Sequence, residues 1–120
     1  MKLTILAIIV ILSQVSWINL AKAANPAAIR RLLETNECSG CDLRKANLSN
    51  VNLIGADLEG ANLQGANLSG ANLAVSILSD ANLSNANLSR ATINDADLRG
   101  ANLTDAYLSH ANLSLSLIHI

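Results

Sequence analysis

A chain of 120 residues with a net charge of −1 has room for a single domain. Hydrophobic residues make up 51%, yet aromatics only 2% and Phe is absent, which excludes a core built on large rings. The near-balanced charge lacks the basic footprint of a nucleic-acid binder, so no nucleic-acid partner is expected.

The chain opens like an export signal. Lys2 supplies a short positive start, Leu3 to Leu12 is apolar apart from Thr4, and Ala21-Lys22-Ala23 fits a small-residue cleavage site. We read residues 1–23 as a signal peptide cleaved after Ala23. Its removal takes Lys2 and Lys22 and leaves 6 basic and 9 acidic residues, a net of −3. The rival reading is a retained membrane anchor over Leu3 to Leu20, a stretch that Ser13, Gln14, Ser16 and Asn19 make polar for that purpose. Both readings carry the rest of the chain out of the cytoplasm, and only the second involves a membrane.

Residues 24–40 read as a capping helix and linker. Asn25 suits an N-cap and Pro26 the first helical position, so the pattern predicts a short helix over about 26–35. Ile29, Leu32 and Leu33 are expected on its buried face, with Arg30, Arg31 and Glu34 off it. The only two cysteines follow, in Cys38-Ser39-Gly40-Cys41. A disulfide suits an exported protein, and a pair of small buried thiols at the join is the competing reading. Thioredoxin-like chemistry would want a βαβ frame. Covalent haem attachment would want His where Asp42 stands. Zinc would need two further ligands, whereas His110 and His119 lie at the other end. No cofactor or metal is expected.

From residue 43 onward every fifth position is Leu or Ile, beginning Leu43, Leu48, Leu53 and ending Leu113, Ile118. Two residues before each stands a small residue, Ala in twelve of sixteen cases, with Cys41, Val51, Ser76 and Ser116 as the exceptions. The residue between is Asn or Asp in twelve cases, and all six glycines fall two residues after the large position. A helix needs apolar spacing near 3.6 and a strand near 2, and strict five is neither. Within a unit, however, the small and large residues are two apart and share one side of a short extended segment. The next two positions hold Gly, Asn, Asp and Ser, which tolerate corners. Each unit is therefore a brief strand that points inward, followed by a turn, and successive units close into stacking coils.

The unit resembles the pentapeptide-repeat family, most cleanly in Ala61-Asn62-Leu63-Gln64-Gly65 and Ala66-Asn67-Leu68-Ser69-Gly70. The resemblance covers residues 41–120, as sixteen repeats. It implies an all-β fold, a right-handed quadrilateral β-helix with four repeats to each coil and hence four coils, 41–60, 61–80, 81–100 and 101–120. The capping helix would cover one end. The other closes on Leu113, Leu115, Leu117, Ile118 and Ile120 with no helix pattern, an open edge expected either to fray or to pair with a second copy of the chain.

Catalysis finds little support: no Ser-His-Asp set converges and a regular prism presents flat sides. Function is left to the outward surface. With twenty residues to a coil, Asp57, Ile77, Asp97 and Leu117 form one column, with Glu59, Arg99, Asp80 and Asp95 beside it. Val75 and Ile77 interrupt positions where polar residues are expected; Leu115 stacks above Val75, and Ile54 lies close to that corner. We read this acidic, partly apolar corner as the surface for an unidentified protein partner, against the alternative that its charges merely solvate a tolerant scaffold. The favoured class is a non-enzymatic structural or protein-binding module which, by the resemblance, would sit in a periplasm or thylakoid lumen. The alternative is a DNA-mimic inhibitor of DNA gyrase, a class that some family members represent. The export signal and a repeat region with only 4 basic against 7 acidic residues speak against it.

Overall fold

The structure, a computed structural model, describes residues 25–118. The export segment and its cleavage point lie outside the described residues, as does the end of the last coil at His119 and Ile120. No helix among the described residues is long and apolar enough to cross a membrane.

Helix α1 spans Pro26–Thr35. Asn25 Oδ1 accepts the Ala27 N–H at 3.0 Å, satisfying one of the donors a helix start leaves open, and Pro26 occupies the first turn, where its missing N–H costs nothing. Asn36 ends the helix in the left-handed region at φ 62°, its N–H donating to Leu32 O at 2.9 Å. Leu32 is buried and Ala28 and Ile29 pack partly against the core. Leu33 departs from the sequence expectation and stays 53% exposed. A single helix laid on the end of a narrow coil touches it along a strip, and Leu33 falls outside that strip.

The rest of the described chain is a solenoid. Parallel bridges join residues twenty apart, from Glu37 with Asp57 to Asp97 with Leu117, so four five-residue units make one coil. The hydrogen bonding is uniform. The outward residue donates to the preceding coil, as Asn62 N–H does to Cys41 O at 2.9 Å. The large residue and the second corner residue donate to the next coil: Leu43 N–H to Asn62 O at 2.8 Å, Lys45 N–H to Gln64 O at 2.9 Å. Each corner closes on itself, with Ala46 N–H on Leu43 O at 3.1 Å and Lys45 at φ 57°, the arrangement of a type II turn.

This geometry explains the composition. The interior receives a column of large aliphatics, Leu43 through Leu98, and a column of Ala, nearly all fully buried. Leu103, Leu108 and Leu113 in the last described coil are only partly covered. The ladder also starts one unit before residue 41. Asn36-Glu37-Cys38-Ser39-Gly40, read from the sequence as linker, forms a further repeat: Glu37 bridges Asp57, Cys38 fills the large position and Gly40 turns the corner at φ 69°. Asn36 stands here where Ala is usual and Cys38 where Leu is usual, and coil closure accepts side chains that fit.

Candidate partner-binding surface

The outward position is normally Asn or Asp because its side chain finishes the corner. Asn82 Oδ1 accepts the Ser84 N–H at 3.0 Å and the Ser84 hydroxyl at 2.6 Å, and the same pattern recurs at Asn47, Asn67, Asn87 and Asn102. Such Asx turns are a local reward for an oxygen at that position.

On the fourth side this rule is broken. The column there runs Glu37, Asp57, Ile77, Asp97, Leu117. Ile77 offers no oxygen to the Ser79 N–H and is 42% exposed. Two residues earlier, Val75 occupies the left-handed corner position at φ 54° and is 56% exposed. A β-branched residue at positive φ is a strained placement. The pattern repeats two coils on, where Leu115 (φ 59°, 81% exposed) and Leu117 (53% exposed) take the same two positions. Ile54, 46% exposed, adds to the apolar area one coil before Val75. Ser76 and Ser116, which replace the inward Ala of these two units, each donate a hydroxyl to a backbone carbonyl, Leu73 O at 2.7 Å and Ile93 O at 2.5 Å. Their polarity is thus satisfied and the coil remains closed.

The structure brings the acids anticipated from the sequence to the same side. Asp57 Oδ1 accepts the Glu59 N–H at 3.1 Å. Arg99 grips both oxygens of Asp97, at 2.9 and 2.6 Å, and the same hydrogen bonds, with the attraction of the carboxylate behind them, raise the guanidinium pKa above its usual value. Asp95 carries only the Asn94 amide, at 3.0 Å. Asp80 leans over Gly100, where a Cβ would collide with its Oδ1. Glu37 joins the foot of the column, a member that the sequence pattern missed because it lies in the irregular repeat.

A disulfide joins Cys38 and Cys41, the first of the two arrangements considered from the sequence. Cys38 is fully buried, its Sγ 3.3 Å from Ala28 O of α1, so the bridge lies where the helix meets the first coil. Away from the fourth side, Arg44 binds both oxygens of Asp42 at 2.8 Å; these hydrogen bonds, opposed by slight desolvation, hold that carboxyl below its ordinary range. An open groove of about 600 Å³ lies along the corner after the second side, lined by Asn50, Ser69, Ser89, Arg90 and His110 among others. The hydroxyls of Ser69 and Ser89 are already committed to Asn67 and Asn87. No group of three or more His, Cys, Asp or Glu among the described residues is placed to hold a metal.

Compared with known proteins, residues 37–74 and 76–116 match the family described as pentapeptide repeats, in eight copies, and the break falls at Val75. Among solved structures, alr5209, a pentapeptide repeat protein from Nostoc PCC 7120, is 38% identical, with 77% of this chain and 78% of that chain covered at a TM-score of 0.69. The pentapeptide repeat protein Rfr23 from Cyanothece 51142 is 25% identical over 78% of this chain and 98% of that one, at 0.48. QnrB1, a plasmid-mediated fluoroquinolone resistance protein, is 28% identical over 63% and 39%, at 0.38. No curated protein sequence matches significantly.

Proposed function

The chain belongs to the pentapeptide-repeat family, and from that premise we propose that it is a non-enzymatic module that binds a protein partner through its fourth side, outside the cytoplasm. The solenoid in this reading is a right-handed quadrilateral β-helix, as the family resemblance implies. One observation carries the function: Val75 and Ile77 are exposed apolar residues placed where the local chemistry disfavours them, one at positive φ and one without the Asx oxygen. Residues that break local rules with no packing gain are best accounted for by contacts outside the chain. The signal-like residues 1–23 support export, to a periplasm or thylakoid lumen.

The test is a photo-crosslinking amino acid at position 77, with position 87 on the second side as control, in the native host. Adducts from position 77 alone, on a mature chain beginning at Ala24, are expected. Equal crosslinking from both positions would sink the surface reading, and a full-length chain in the cytoplasm would sink export. Inhibition of DNA gyrase by the purified protein would move the DNA-mimic reading to first place.

The last described coil supports a second contact. The backbone N–H groups of Leu103, Leu108 and Leu113 have no carbonyl above them among the described residues. We propose that this edge pairs with a second copy of the chain. A monomer by light scattering at high micromolar concentration would refute that.

A further inference from the structure

The fourth side has a periodicity of its own, and it points to the shape of the partner. Along the solenoid axis the two corner-and-side positions read Val75 and Ile77, then Asp95 and Asp97, then Leu115 and Leu117, one pair per coil. Adjacent coils are bonded as neighbouring strands, so each pair lies about 4.8 Å beyond the last and the two apolar rows are about 10 Å apart. An acidic row separates them. Within that row Asp97 is committed to Arg99, which leaves Asp95, held only by the Asn94 amide, as the carboxylate facing outward.

An α-helix laid parallel to the axis matches this spacing. One turn rises about 5.4 Å and one heptad about 10.5 Å. Side chains at i and i+7 then meet the two apolar rows, while a residue at i+3 or i+4 meets Asp95. An extended peptide rises about 6.6 Å between residues on one face and drifts out of step with the coils within two rows.

We propose that the fourth side receives an amphipathic α-helix of another protein, with apolar residues one heptad apart and Lys or Arg between them. This rests on the reading of that side as the partner surface and names the class of partner. Charge complementarity selects the basic residue, and the apolar rows at both ends set the register.

The probe is a synthetic Ala- and Gln-based helical peptide with Leu at i and i+7 and Lys at i+3 and i+4, titrated into the isotopically labelled protein. Chemical-shift changes confined to the fourth side are expected. A D95K variant should weaken binding by about tenfold, and the double variant V75N/I77N, which restores the usual corner residues and so keeps the fold, should abolish it. Unchanged binding to either variant, equal binding of a peptide with Glu in place of Lys, or no shifts on the fourth side would overturn the helix inference. So would tighter binding of a Pro-containing extended peptide with the same residues, or concentration-dependent self-association through this face, which would make the occupant a second copy. Crosslinking from position 77 is independent of the peptide, so specific adducts there with a failed titration would refute the helical partner and leave the surface standing.

Discussion

Asn67 Oδ1 accepts two hydrogen bonds from Ser69, the backbone N–H at 3.1 Å and the hydroxyl at 2.7 Å. The outward side chain is thereby part of the corner that follows it, and it is half-buried against the neighbouring coils. An N67A variant should lose about 1 kcal/mol of stability, the net worth of such bonds, whereas N67D, which keeps the oxygen, should lose much less. Urea denaturation of the three proteins checks the order.

Val75 is the reverse case. Asn tolerates the left-handed region that strains a β-branched residue, and Asn85 holds the equivalent corner at φ 58°. V75N should therefore raise stability by about 1 kcal/mol, seen as a rise in Tm of roughly 4–8 °C. A fall in Tm would mean that Val75 is held by packing within the chain, and the argument for an external contact would lose its basis.

Burial differs sharply between the middle and the last described coil. Leu63 is fully buried and Leu113 only partly covered. L63A should cost about 2–5 kcal/mol; L113A should cost under about 2 kcal/mol at dilutions where the chain is monomeric, and more at concentrations where the edge is paired. Equal costs would show that the last coil is covered in solution, as pairing with a second copy would require.

The Cys38–Cys41 disulfide closes a small ring at the join of α1 and the first coil. Chain-entropy arguments give such a short loop about 2 kcal/mol. Because Cys38 is fully buried, reduction should be slow without denaturant. The C38A/C41A variant should melt earlier and expose the α1 end first, with amide exchange rising in residues 26–40 before the middle coils.

Asp42 supplies a small pH dependence. Its carboxyl pKa is lowered in the folded state by the hydrogen bonds of Arg44, so the stability it contributes is present above the unfolded-state pKa and is lost as pH falls through the folded value, below about pH 4. D42N should remove that part of the acid limb and leave neutral-pH stability almost unchanged, since both partners are about half exposed. Denaturation midpoints between neutral and acid pH measure it.

Sequence alone determined the inside of this protein. The period of five, the inward Ala and Leu and the Asn or Asp that finishes each corner are local requirements repeated in every unit, and the Asn25-Pro26 start fixes α1 in the same way. The outside was decided by closure. A five-residue period is compatible with any number of sides, and only the bonds between coils set the twenty-residue register that places Val75 below Leu115 and Ile77 below Leu117. Those bonds also recruit residues 36–40 into the ladder despite their irregular side chains and leave Leu33 outside the contact strip. Each of these depends on which backbone lies above or below a residue, and no local pattern carries that information.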